Sequence, residues 1–355
     1  MEEPLPKDNE NILPLLGDDP LVPSEPQGFR PEEMVRCEEC LRANPPTRVS
    51  CLYCAAPLPF TEETANLQKP SLRPLEKWEQ GYNCILLPMS PHSLTDESLV
   101  EAGNLLKLSS DHLKRITAAE MFLPVARAAN FDESSLVCHR LKALGIRTLV
   151  VSDQDLGMEQ SPPMRMRAAE IDETGIAAYQ VGADEGVSIP WTDFALFAVG
   201  RLVVKNVEMQ ERKAGRAESK ILDVSEFFTD EAVVDIYCKE QDGNYRIFAN
   251  RFDFSCLGNR KGLLAGENFL VLLELLREHA PQAVYDDSYN SLRKALEPVW
   301  PSEQQTESRG LRRGRPGKYS VETVIAISND AQFSRYSRLR RYLQRNPAIN
   351  LDEDT

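Results

Sequence analysis

Two cysteine pairs, Cys37-Glu38-Glu39-Cys40 and Cys51-Leu52-Tyr53-Cys54, constrain this chain more than any other feature. A two-residue gap inside a tight turn lets both sulfurs of a pair face one point. Ten residues between the pairs are enough for a hairpin that brings the two turns together. Four thiolates at this spacing can close a tetrahedral shell around one Zn²⁺. A shell made only of thiolates has no position left for an activated water. The expected ion is therefore structural, with Cys37, Cys40, Cys51 and Cys54 as its ligands.

The other cysteines, Cys84, Cys138, Cys238 and Cys256, stand alone inside apolar patterns. They read as buried free thiols in a reducing cytoplasm, not as a disulfide framework. At 355 residues the chain exceeds one ordinary core. Its net charge of −14 argues against general nucleic-acid affinity. That charge is uneven: residues 309–345 hold ten Lys/Arg and two acids, a balance of +8, so the remainder sums to −22. Residues 1–34 carry nine acids, two bases and seven prolines, the reverse of a basic, apolar leader. They are expected to be a disordered acidic tail. The longest apolar stretch, Phe269 to Leu276, is too short to span a bilayer.

The segment 35–60 resembles the short bacterial zinc-ribbon family in its two knuckles, Asn44-Pro45 between them and Pro57-Leu58 after them. Leu41 and Ala55 stand where that family carries the glycines that ease a positive φ. The spacing and Asn44 also fit the Ran-binding-protein type of finger. However, Val35 replaces that family's Trp, and Leu41-Arg42 stands where its ubiquitin-binding members have Thr-Phe. Ribbons of these kinds contact protein, DNA and RNA alike.

A polar linker covers roughly 61–80, and residues 81–153 then read as a small β-α-α-β-α-β unit. Tyr82–Leu87 is a strand, and Thr95 opens a helix. A short helix follows near Ser110–Ala118, and Leu123–Ala128 is extended. Asp132 is expected to cap a helix in which Val137, Leu141 and Leu144 recur at i, i+4, i+7. Gly145 ends that helix before the strand Thr148–Val151. The order resembles the C-terminal domain of the ribosomal stalk protein and the Clp protease adaptor family, which implies a protein-docking unit.

Residues 163–281 turn β-rich, with a hairpin about Glu173-Thr174-Gly175 and strands over 196–207, 233–238 and 245–254. A turn at Gln241-Asp242-Gly243 joins the last two. An apolar helix, Glu267–His279, closes the unit with Phe269, Leu272, Leu273 and Leu276 turned inward. Seven strands and one closing helix resemble a pleckstrin-homology-like roll. Ile189-Pro190-Trp191-Thr192-Asp193-Phe194 is similar to a segment of its bacterial versions. Trp191 reads as a core anchor.

Residues 286–355 are expected to form a helical, basic C-terminal region. It would hold a helix over 286–298, a Gly/Arg-rich linker over 302–318, strand character over 321–328 and a helix over 330–345. Arg312, Arg313, Arg315 and Lys318 surround a Gly-Arg-Pro core that resembles an AT-hook, which implies contact with the A·T minor groove. Such short basic runs also occur as solvated linkers. Arg335, Arg338, Arg341 and Arg345 form a stripe that pairs either with phosphate or with the protein's own acids. The second needs no extra partner.

Catalytic chemistry has little to stand on. The four histidines show no ligand spacing, Cys138 and His139 diverge on a helix, and no nucleophile elbow or phosphate loop is present. Asp153, Asp155 and Asp286-Asp287 read as turn and cap carboxylates. The sequence thus points to a multidomain α+β protein comprising a four-cysteine zinc ribbon, a small α/β domain and an antiparallel β-roll capped by a helix. Its expected role is that of a non-enzymatic cytoplasmic adaptor or scaffold with protein partners. The alternative is a nucleic-acid-binding regulator using the ribbon and the basic 309–345 segment.

Overall fold

The computed structural model describes residues 28–350, except 57, 60–67, 69, 91–93, 214–219, 240–243 and 316–317; over 209–223 and 308–322 it describes the backbone course alone. Residues 1–27 of the acidic tail, and the turn at 241–243, lie outside the described residues. The fold is a mixture of helix and sheet built on a two-stranded, a three-stranded and a nine-stranded sheet. Among the described residues no helix is long and apolar enough to cross a membrane.

Two short strands, β1 (Val35–Arg36) and β2 (Ala43–Asn44), pair antiparallel in the cysteine segment. The three-stranded sheet has the order β4-β3-β5, where β3 is Tyr82–Leu86, β4 Leu123–Ala128 and β5 Thr148–Ser152. Both pairings are antiparallel. Its helices are α1 (Asp96–Leu106), α2 (Ser110–Thr117) and α3 (Phe131–Ala143), so the expected β-α-α-β-α-β order is present. Thr95 caps α1 through its hydroxyl, which accepts the Ser98 N–H at 3.1 Å. Asn130, rather than the expected Asp132, caps α3: its Oδ1 accepts the Glu133 N–H at 2.8 Å. Asp132 instead sits in the first turn, where a carboxylate favours the helix dipole.

The nine-stranded sheet comprises β6 (Met164–Ile171), β7 (Gly175–Gln180), β8 (Val187–Pro190), β9 (Phe194–Lys213), β10 (Lys220–Cys238), β11 (Asn244–Phe248), β12 (Val284–Asp286), β13 (Glu303–Arg315) and β14 (Lys318–Ser328). Its order is β13-β14-β9-β10-β11-β6-β7-β8, with β12 also against β9. The expected roll was antiparallel throughout, whereas β11 with β6 and β12 with β9 are parallel pairs. Helix α4 (Ala265–His279) buries Phe269, Leu272, Leu273 and Leu276 against this sheet's core, the face its periodicity assigned. Trp191 lies in the same core, donating from Nε1 to the Asp172 carbonyl at 3.0 Å and stacked at 4.7 Å on His279.

The largest departure from the sequence reading is the length of the central strands. β9 and β10 run as one hairpin from Phe194↔Cys238 to Arg212↔Lys220. Residues 302–318, expected as a linker, instead supply β13, which pairs with β14, which pairs with β9. In sequence these stretches are rich in charged residues and lack apolar alternation, so they read as loop. They are strands because β9 finds backbone partners on both edges, and a ladder satisfies N–H and C=O groups without a core. From Lys220 to Ala232 the outer edge of β10 has no strand partner among the described residues, since β11 joins only at Val233. Phe227 and Phe228 are exposed there.

The C-terminal helices α5 (Tyr289–Leu296) and α6 (Asp330–Arg345) complete the core of the three-stranded sheet. One apolar cluster holds Ile85, Leu123, Val137 and Val151 together with Tyr289, Trp300, Phe333, Tyr336 and Leu339. It also includes Leu202 and Val233 of the larger sheet, so α6 packs between both. Gly200 of β9 makes this possible. A Cβ there would come within 2.5 Å of the Phe333 ring, so only glycine lets the helix settle on the strand.

Candidate metal centre

Each cysteine pair sits at the head of the same short turn. Leu41 N–H donates to the Cys37 carbonyl at 2.9 Å, and Ala55 N–H donates to the Cys51 carbonyl at 3.1 Å. Each turn then closes with the first cysteine's N–H on the carbonyl five residues later, Cys37 on Arg42 and Cys51 on Ala56. Leu41 and Ala55 have φ of 58° and 61°. The left-handed backbone that a glycine would ease is therefore present and is borne by residues with side chains.

The two turns face each other. Cys37 Sγ lies 3.6 Å from Cys54 Sγ, and Cys40 Sγ lies 3.6 Å from Cys51 Sγ. All four sulfurs are within 4.8 Å of one another. Metal–sulfur bonds of about 2.3 Å in a tetrahedron place sulfurs about 3.8 Å apart. Cys37, Cys40, Cys51 and Cys54 could therefore bind a metal ion with little movement. Cys37 and Cys51 are buried, and Cys54 is exposed.

Asn44, fully buried, ties the two halves together. Its Nδ2 donates to the Arg42 carbonyl at 2.9 Å and to Cys51 Sγ at 3.4 Å, and its Oδ1 accepts the Leu52 N–H at 2.8 Å. The Tyr53 N–H also points at Cys51 Sγ, at 3.4 Å. Burial opposes charge on Cys51, but these donors and the Cys54 N–H outweigh it and bring the thiol down to about 6. At Cys54 the Ala56 N–H acts to lower the value, but burial and the three neighbouring thiols push it up to about 12. Four thiols this close cannot all ionise without a cation among them, so metal binding must expel protons.

Three large side chains crown the turns on the solvent side. Leu41, Leu52 and Tyr53 are 64%, 53% and 56% exposed. The Arg42 guanidinium lies 4.8 Å from the Tyr53 ring centre and links the two turns across their tips.

The basic residues singled out in the sequence go to two places. Arg312, Arg313 and Arg315 lie near the end of β13 and Lys318 opens β14, with Arg313↔Tyr319 and Arg315↔Lys318 in register. Arg335, Arg338 and Arg341 of α6 lie elsewhere and turn into the fold, whereas Arg345 is exposed. Arg335 pairs with Asp153 at 3.1 Å. Arg338 is buried and donates to the carbonyls of Gly157 and Ser161, the latter at 3.2 Å. Arg341 is buried and donates to the Cys238 carbonyl.

Sequence reasoning missed what the buried carboxylates do. Asp155 does serve its turn, accepting from the Ser152 N–H and hydroxyl. Asp153 does not: it accepts from the Gly81 N–H, the Asn83 amide, Arg127 and Arg335, and Asn83 in turn accepts the Trp300 indole N–H at 2.9 Å. Asp286 accepts the Ser288 N–H as a cap would, but also accepts the Tyr336 hydroxyl at 2.8 Å and forms an ion pair with Arg340 at 2.5 Å. Asp235, fully buried, holds Arg246 through two contacts of 2.5 and 2.8 Å and Ser337 at 2.7 Å. No local pattern announces such partners, because they lie far apart in the chain. Compared with known protein families, characterised proteins and solved structures, the chain matches none.

Proposed function

We propose that this chain is a non-enzymatic zinc-binding adaptor whose cysteine module is a docking element. The observation that carries the reading is the convergence of four thiols, with no other ligand type, at the spacing of a tetrahedral shell. All-sulfur donors select a soft or borderline ion, and Zn²⁺ suits a closed tetrahedron. Such an ion holds shape, and the module needs it: among its described residues the buried apolar set is Cys37, Cys51 and Leu58. The exposed Leu41, Leu52 and Tyr53 then supply a rigid apolar surface of the kind that protein contacts use. The open β10 edge with Phe227 and Phe228 supplies a second surface, suited to strand addition.

Metal analysis of the purified full chain tests the ion, with one zinc per chain expected. Co-purification from native lysate tests the docking role. A chain carrying Leu52→Ser and Tyr53→Ser should keep its zinc and lose the proteins that wild type retains. Equal partners from both chains would overturn docking by the module.

A second reading, nucleic-acid binding, is favoured by the β13–β14 hairpin, which gathers Arg312, Arg313, Arg315 and Lys318 at one end of an antiparallel ribbon. Its signature is affinity for duplex DNA that falls steeply with salt and disappears when those four residues are replaced by Gln.

A further inference from the structure

A cavity of about 430 Å³ opens between β4, the 72–77 segment, the 298–304 segment and the face of α6 that bears Ala331 and Arg335. It does not involve the cysteine module. Its size falls in the range of small-ligand sites, about 300–1,000 Å³. Apolar walls come from Leu72, Leu106, Val125 and Trp300. Five bases and two acids line it.

Lys77 pairs with Glu303 at 3.1 Å and Arg73 pairs with Glu79, while the Lys107 ammonium donates to the neutral Ser71 carbonyl. Arg127 and Arg335 are arranged differently. Both bind one carboxylate, Asp153, whose side chain is 3% exposed, while theirs are 12% and 16% exposed. Two guanidinium groups share one ion-paired carboxylate in a largely dehydrated wall, where Glu303 acts on Arg335 without a contact of its own. Burying a guanidinium charge is unfavourable unless an anion joins it. Burial, with Arg127 alongside, lowers the Arg335 pKa despite the pull of Asp153 and Glu303. Arg335 places a single N–H on Asp153, and no other hydrogen bond joins it to a described residue. Arg335 also lines the cavity.

We propose that this cavity binds a small organic carboxylate, its head on the Arg335 fork and its apolar body against Trp300 and Val125. A planar carboxylate takes two parallel N–H donors from guanidinium, and a body of one ring or a short branched chain suits the volume. The bound anion completes the charge balance that Asp153 provides only in part.

Calorimetric titration of the full chain with phenylacetate tests this, with phenylacetamide as the uncharged control and inorganic phosphate as the second anion. Saturable binding of phenylacetate and none of phenylacetamide is expected. Arg335→Gln leaves the Arg127–Asp153 pair intact and should weaken phenylacetate by roughly ten- to hundredfold, the weight of a charge-assisted pair. Ala331→Leu narrows the cavity without touching the ion pairs and should abolish binding with an unchanged unfolding midpoint. Chains with Cys37→Ser should bind phenylacetate as wild type does, which separates this site from the zinc reading. Equal binding of the amide, undiminished binding by both variants, or no saturable binding of phenylacetate would overturn the proposal. Binding of phosphate alone would overturn the assignment to carboxylates.

Discussion

The cysteine module and helix α6 are organised by different chemistry. Among its described residues the module has three buried apolar-class residues, two of them cysteines, so in the proposed reading an ion does what a core cannot. Helix α6 has eight buried residues, among them Gln332, Ser337, Arg338 and Arg341, and packs between two sheets. It needs no ion, because each of those polar side chains has found a partner in the fold. The comparison teaches where information resides. The module's ligands lie within eighteen residues of one another, whereas Arg335 and Arg338 reach partners 182 and 181 residues away.

The contrast breaks first at Asp235. Replacing it with Ala takes from Arg246, whose side chain is 4% exposed, its buried two-contact partner and leaves it the half-exposed Asp330 and Ser334. A loss of about 3–5 kcal/mol is expected in urea unfolding of the body, as for other broken buried pairs. A loss below about 1 kcal/mol, a surface-pair value, would mean that α6 is not held this way.

Asp153→Asn comes next, and its effect depends on pH. Burial opposes charge on Asp153, but Arg335, Arg127 and Asn83 hold its pKa below the usual carboxylate value. A depressed folded pKa gives stability that is fully present above the unfolded value, about 3.9, and lost as pH falls through the folded one. Wild type and variant should therefore differ most near neutral pH and converge as pH falls below about 4. A pH-independent difference, followed by thermal unfolding, would contradict the assignment.

Metal removal should act locally. With a chelator, amide exchange is expected to accelerate over residues 35–58 while α6 and β9 keep their protection. If α6 loses protection together with the module, the two regions are one cooperative unit and the contrast fails.

Asn44→Ala should cost about ten- to hundredfold in metal affinity, the usual weight of a partner that orients a ligand. Competition against a chromophoric chelator measures it, and an unchanged affinity would remove Asn44 from the centre. The smallest expected effect is a gain. Leu41→Gly places glycine where φ is 58° and should stabilise the metal-bound module by about 1 kcal/mol. Ala55→Gly, at 61°, should do the same.

Local chemistry was legible from the chain. The cysteine spacing led to four sulfurs within 4.8 Å, and the 3.6-residue periodicity led to helix α6 over Asp330–Arg345 and to the buried face of α4. Thr95 announced its own cap. The outer halves of β9 and β10, and β13, were not legible. Their residues, such as Glu208 and Glu226, show no apolar alternation, and the strands exist because neighbours complete their ladders. Nor was the role of Asp153, since a short carboxylate before a turn looks the same whether it caps a helix or balances two arginines.

What the amino-acid order determined by itself is whatever depends on neighbours a few residues away: the convergence of the four cysteines, the helix faces and a cap. What only the tertiary structure decided is which distant groups meet: Phe333 on Gly200, Arg246 on Asp235, and two arginines on a single Asp153 beside a cavity. The reason is electrostatic and steric. A buried charge or ring is tolerated only where another part of the chain supplies its partner or its space, and that supply exists only once the sheets have closed around α6.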